Sequence, residues 1–319
     1  FNNMDDQSSF DNIKDNVYSA NAYINSFSIA EALKTGANIV LAGRVSDPGL
    51  VLGPAIYEFG WKKDDYDKLA AGTLAGHILE CGAQCSGGNF TDWKNIPKLD
   101  NVGYPIAHLS DDTTFQITKP EKTGGLVNKY TIIEQILYEM GDPKNYISPD
   151  VVVDFTSFSL NEISDNVVEV SGVKGYPATD TYKVSINYFN GYKASGQLTI
   201  SGPDALDKAE FTSKLIWSRL ENAGINFDET LTEYLGVSSC HGNKIKEFKS
   251  EPNEVVLRLS VRDNDKNKII RFGKELAPVI TSGPPGVTGF SGGRPRPQEI
   301  IAFWPCLINK KHIKIKVIS

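Results

Sequence analysis

Cysteine is scarce: Cys81, Cys85, Cys240 and Cys306 are the only four in 319 residues, and no two form a CxxC pair. That excludes a disulfide scaffold and a structural zinc module, and it favours a reducing, intracellular setting, cytoplasmic or in an organelle matrix. No apolar run approaches the roughly 20 residues that span a bilayer. The longest candidates, such as Ala37 to Ala42, are strand-sized, so a soluble chain without a membrane span is expected. Positive charge is in deficit, with 33 Lys and Arg against 39 Asp and Glu and a formal charge of −6. A nucleic acid would meet no protein-wide attractive field and is not an expected partner, whereas small anions can still be held by local basic groups.

Several catalytic signatures are missing too. There is no GxSxG elbow, HExxH helix, P-loop or GxGxxG fingerprint in its proper context, no metal set, and no evident cofactor motif. The opening FNNMDDQSSFDNIKDN has neither a basic leader nor an apolar signal core, and a first residue other than Met reads as a trimmed or partial chain.

What is present is an ordinary globular composition, 40% hydrophobic with 28 Gly and 16 Pro, on a chain long enough for two lobes. Residues 22–36 read as a helix stopped at Gly36. NIVLAG follows with the uninterrupted apolar character of a strand buried in a parallel sheet. Further helices are expected at 48–61, interrupted by Pro54, at 64–84, and at 131–141, with a hairpin at 105–119. From Val151 the pattern turns to short alternating runs, with Asn190-Gly191 as a turn between two of them and helices at 204–223 and 266–281 around a strand at 253–263. The expected fold is α/β. Residues 1–148 would form a lobe with a partly parallel sheet and helices, and 149–319 a mostly antiparallel α+β lobe carrying a Gly/Pro/Arg-rich loop at 281–299.

Four glycine-bearing blocks stand out: ANAYINSFSIAEALKTGANIVLAGRVSD (20–47), LAAGTLAGHILECGAQCSGG (69–88), ITKPEKTGGLV (117–127) and LAPVITSGPPGVTGFSGGRPRPQE (276–299). Their order and separations resemble the AtuA family, named for acyclic terpene utilisation, across nearly the whole chain. The resemblance implies the main domain of that family, without its usual opening strand and glycine-rich loops. It also implies a place in the breakdown of citronellol and geraniol through CoA thioesters.

The candidate chemistry lies in four places. In GRVSD, Arg44 and Asp47 follow an expected strand end, where Arg44 would meet an anion or else pair with Asp47 to close the turn. In the second block His77, Glu80 and Cys81 lie within one helical turn. His77 and Cys81 at i, i+4 form either an acid/base or nucleophile pair, or a packed face with an inert cysteine. In KPEKTGG, Lys119, Glu121, Thr123, Gly124 and Gly125 read as a phosphate or carboxylate cradle, or as a plain Gly-Gly turn with solvated lysines. In the last block Gly286, Arg294 and Arg296 suit a loop that wraps a CoA phosphate or an acyl carboxylate, or a contact between lobes or subunits. The resemblance marks the KPEKTGG block as a hallmark without naming its role. Cys240 and His241 are adjacent and would diverge on a strand.

The leading expectation is an enzyme of branched or terpenoid acyl-CoA catabolism, of hydratase, lyase or hydrolase type. Its loops 43–47, 119–125 and 282–296 would line a cleft holding a CoA-linked or anionic ligand, with the CoA moiety part of the substrate. The alternative is a non-catalytic binding or assembly protein on the same scaffold, and a homo-oligomer is expected.

Overall fold

The computed structural model describes residues 1–237, 239–244, 251–289 and 292–318. Phe290 and Ser291, inside the Gly/Pro/Arg-rich stretch, and Ser319 of the closing stretch lie outside them. Packing divides the chain into two units. The first takes Phe1–Asn12, Ala20–Ile186 and Trp304–Ser319, and the second takes Ile13–Ser19 and Asn187–Phe303.

In the first unit three helices pack in sequence, α1 (Phe27–Lys34), α2 (Gly49–Phe59) and α3 (Tyr66–Glu80). Pro54 sits inside α2 because the bond it forgoes, to the carbonyl of Leu50, lies on an exposed face open to water. α3 is central. Every residue from Leu69 to Ile78 is buried, which the small residues of LAAGTLAGHI permit, so the single apolar face expected from spacing is a helix covered all round. Its covering layers are α2, the helix α4 (Lys129–Leu137) and two antiparallel sheets.

One sheet runs in the order β2 (Ile106–Leu109), β3 (Phe115–Thr118), β7 (Val167–Ser171), β6 (Ser159–Ser164). The other joins β4 (Tyr146–Ile147), β5 (Val151–Asp154) and β8 (Lys174–Pro177). The expected hairpin at 105–119 is present, with Ile106 opposite Thr118. Strand alternation sends Phe115, Ile117, Val151, Val153, Val168 and Val170 into one core with Leu69, Leu74 and Ile78 of α3. These shared contacts place 149–186 in the first unit with the helices that precede them.

The fold is mixed α and β with mostly antiparallel sheets, and the parallel sheet expected around NIVLAG is not found among the described residues. Residues 37–43 form no strand there, and Ile39 and Leu41 are 87% and 97% exposed. A strand buried on both faces needs neighbours on both edges, and this segment has none among the described residues. The only parallel contacts described are two isolated bridges, Ile24 with Val45 and Val102 with Gly124.

The second unit holds an antiparallel sheet in which β11 (Glu254–Asp263) lies between β10 (Glu229–Leu235) and the later part of β9 (Thr181–Ser201), with β12 (Val287–Thr288) also on β9. Helices α5 (Ala205–Asn222) and α6 (Lys266–Ser282) cover it through Ile216, Leu220, Phe272 and Val279. Asn190-Gly191 is not a hairpin turn. Gly191, at φ +86°, lies within the continuous strand β9, because Tyr192 to Ser201 pair with β11 and not with the residues just before them. β1 (Val17–Ala22) and β13 (Gln298–Asn309) complete the strands, and no described helix is long and apolar enough to cross a membrane.

Candidate functional site

The chemistry that the structure assembles centres on the end of α3. Gly76 allows it: a Cβ there would lie 2.4 Å from the Pro48 carbonyl oxygen, so the loop before α2 reaches α3 one turn from Glu80. His77 is 2% exposed. Its Nε2 lies 3.1 Å from the Ile136 carbonyl oxygen, which can only accept, so this nitrogen carries a proton. Nδ1 lies 2.8 Å from Glu80 Oε1 without hydrogen-bond geometry, so the carboxylate sits directly against a buried imidazole nitrogen that has no hydrogen-bond partner among the described residues. Tyr146 and Phe155 stack at 4.7 Å and flank the imidazole, each ring centroid 5.5 Å away. On α4, Gln135 Nε2 donates to the His77 carbonyl at 2.9 Å.

Glu80 lines a cleft of about 380 Å³ with Asp47, Leu50, Cys81 and Glu139. Burial raises the Cys81 thiol pKa; a hydrogen bond with Gln135 opposes this, and the charges of Glu80, Glu139 and Asp47 add to it. No hydrogen bond joins His77 to Cys81 among the described residues: Nε2 faces the Ile136 carbonyl and Nδ1 faces Glu80, and the raised thiol pKa weakens Cys81 as a nucleophile. Cys85 is more deeply enclosed, its thiol pushed up to about 12 by burial.

Arg44 and Asp47 form a 3.0 Å ion pair across the turn, with Arg44 also over the Tyr23 ring at 5.1 Å. The turn is anchored where Ile24 N donates to the Arg44 carbonyl. Both residues line a second cleft, of about 740 Å³, whose walls are mainly apolar, including Ile29, Leu33, Leu41 and Pro54. Asp47 and Leu50 belong to this cleft and to the one at Glu80.

The KPEKTGG loop is built differently from a phosphate cradle. Gly124 N donates to the Asn101 carbonyl and Gly125 N to that of Pro97, so neither amide is left for an anion. Lys119 Nζ donates to the Thr123 carbonyl at 2.9 Å, and Thr123 Oγ1 donates to that of Pro120 at 2.6 Å. The glycine is required at 124 by packing, since a Cβ there would lie 1.9 Å from the Lys98 carbonyl oxygen. Glu121 stands exposed in the turn.

Gly286, Arg294 and Arg296 belong to the second unit. Gly286, at φ +93°, presents its carbonyl to Ser201 N at 3.1 Å. Arg294 and Arg296 are exposed, and Arg294 lines a cavity of about 180 Å³ beside α6.

Sequence reasoning missed Gln135, Glu139 and Tyr146, which reach α3 from loops and helices far along the chain, and it missed Asp150. That carboxylate is buried and accepts from Ser26 N at 2.9 Å and from Ser26 Oγ at 2.8 Å, tying the start of α1 to the loop before β5. Burial pushes its pKa up to about 6; the hydrogen bonds from Ser26 and the charges of Lys310 and Lys63 oppose the shift. Among the described residues no group of three or more His, Cys, Asp or Glu is placed to hold a metal ion.

Compared with known proteins, the chain matches no curated protein and no solved structure. Its whole length is nevertheless recognisable at the family level. Residues 2–319 match the acyclic terpene utilisation family protein AtuA, and the chain belongs to that family.

Proposed function

We propose that this chain is an enzyme of branched or acyclic terpenoid acyl-CoA catabolism in which Glu80, backed by His77, exchanges a proton with the substrate. The observation that carries the reading is the 2.8 Å contact between His77 Nδ1 and Glu80 Oε1 at the wall of an open cleft, which sets a carboxyl backed by a buried imidazole where a ligand can reach it. The neighbouring apolar cleft, sharing Asp47 and Leu50, suits an aliphatic chain whose reacting carbon lies at Glu80. Hydration, lyase cleavage and hydrolysis all need such a proton transfer. Arg44, which lines that apolar cleft, is the candidate for an anionic part of the thioester.

The test is a thermal-shift comparison of the full chain with CoA, acetyl-CoA and geranyl-CoA. Stabilisation by geranyl-CoA above the other two, weakened in Arg44→Ala, supports the reading; no shift with any thioester, in a well-folded protein, overturns it. A second reading, a homo-oligomeric binding or assembly protein, is favoured by one observation, the exposed apolar pair Ile39 and Leu41.

A further inference from the structure

Within the second unit a cavity of about 180 Å³ opens between α6 and the edge of β9. Leu276, Ala277 and Ile280 of α6 and Leu198 of β9 make its wall apolar. Pro295 closes one side, and it sits tight because two neighbours lack a Cβ. At Gly196 a Cβ would lie 2.7 Å from Pro295 Cγ, and at Gly273 one would lie 2.5 Å from the Pro295 carbonyl oxygen. Arg294 is therefore held between Gly293, at φ +70°, and a proline packed on α6 and β9, and a residue before proline has little backbone freedom of its own. Arg294 lines the cavity, and among the described residues its side chain has neither an ion pair nor a hydrogen bond. No acidic residue is in the described lining. The edge of β9 supplies a second donor. Ser201 N donates to the Gly286 carbonyl, and the Thr199 carbonyl accepts from Thr288 Oγ1, so alternate residues turn their backbone groups to this edge. β12 ends at Thr288, opposite Thr199, which leaves Gln197, the next residue in that alternation, with its N–H toward the cavity it lines.

The geometry points to a binding site for a short aliphatic monocarboxylate, its head on the Arg294 guanidinium and the Gln197 N–H, its chain between Leu198, Leu276 and Ile280. A planar guanidinium matches a carboxylate with two parallel hydrogen bonds, and Arg294 is the only cation in the lining, which suits a monoanion better than a phosphate dianion. Size sets the chain. A cavity of about 150 Å³ holds a benzene molecule, so this one takes a body of about five or six carbons and not a long acyl chain. Its apolar wall selects such a chain over a bare anion such as acetate. All of these residues belong to the second unit, so the site stands independently of the Glu80 reading above.

Methyl NMR of the full chain titrated with 3-methylbutanoate tests it. Two analogues separate the parts of the ligand: 3-methylbutanol carries the same chain on an uncharged head, and acetate carries the head without the chain. The acid is expected to move the Leu276 and Ile280 methyl signals and to bind more tightly than either analogue. Arg294→Met is expected to weaken the acid by about tenfold or more, the worth of one charge-assisted hydrogen bond, while leaving the alcohol unchanged. Arg294 is exposed, so the variant keeps its fold. A second variant, Ala277→Leu, fills the apolar part and is expected to weaken acid and alcohol alike. Unmoved Leu276 and Ile280 signals, equal affinity of wild type and Arg294→Met for the acid, or undiminished binding in Ala277→Leu overturns the site. Tighter binding of acetate or inorganic phosphate than of 3-methylbutanoate also overturns it, leaving Arg294 an anion contact with no place for a chain.

Discussion

His77 and Glu80 stand one turn apart on α3, with Nδ1 and Oε1 separated by 2.8 Å. His77 Nε2 is held by the Ile136 carbonyl, so the ring cannot flip to relieve the contact without abandoning a buried hydrogen bond. Replacing Glu80 by Gln keeps the side chain's shape and removes the carboxyl group that would give or take the proton. Turnover of any thioester substrate should fall by about 10²- to 10⁴-fold, the usual worth of general acid–base catalysis.

Asp150 makes stability depend on pH with a definite sign. Its folded value of about 6 lies above the ordinary 3.8, so between those values the folded protein binds this proton more tightly than the unfolded chain. The contribution is full below about pH 4 and is lost as pH rises through about 6. It amounts to about 3 kcal/mol, taking roughly two pH units at 1.36 kcal/mol each. Urea denaturation of wild type and Asp150→Asn at several pH values checks it: the stability of wild type minus that of the variant should fall across that window and level off above it.

Gly124 is read as a packing residue. Gly124→Ala would drive a methyl into the Lys98 carbonyl oxygen, which is backbone and cannot swing aside. A loss of about 1–3 kcal/mol or more is expected in thermal or urea denaturation, as for overpacking elsewhere. Inorganic phosphate should not change the melting temperature through this loop, because the Gly124 and Gly125 amides are already bonded to carbonyls.

Thiol reactivity should follow exposure and charge. Iodoacetamide at neutral pH is expected to label exposed Cys240 first, Cys81 much more slowly because burial and nearby carboxylates keep it protonated, and Cys85 slowest. Mass spectrometry of digests after timed labelling reads the order. Fast labelling of Cys81 would restore it as a nucleophile candidate.

The apolar segment at 37–43 yields the prediction for assembly. Ile39→Asn with Leu41→Asn removes two side chains that are almost wholly exposed, so the stability of the first unit should change by no more than about 0.5 kcal/mol. Sedimentation velocity should show less self-association than wild type if this surface is where copies meet.

Much of the secondary structure was legible in the residues. α1 ends beside Gly36 and α3 covers the stretch rich in Ala and Gly. The hairpin at β2 and β3 falls where two aspartates separate alternating runs, and α5, β11 and α6 lie within a few residues of where periodicity puts them. The Arg44 and Asp47 ion pair was also readable, because i, i+3 charges around a turn meet whatever surrounds them.

What sequence alone determined, then, was local: helix stops, strand alternation, short-range charge pairs, and family membership through glycine blocks whose spacing survives along the chain. Tertiary structure decided everything that needs a neighbour. It left NIVLAG uncovered, since an apolar hexapeptide says only that it can be buried and not what would pair with it. It carried β9 straight through Asn190-Gly191, because partner strands and not the dipeptide choose between a reversal and a kink. It also turned His77 from Cys81 to Glu80 by supplying the Ile136 carbonyl from 59 residues away. Which of two neighbours, at i+3 and i+4, a buried imidazole faces is set by the acceptor on its far side, and that acceptor arrives only when α4 packs on α3.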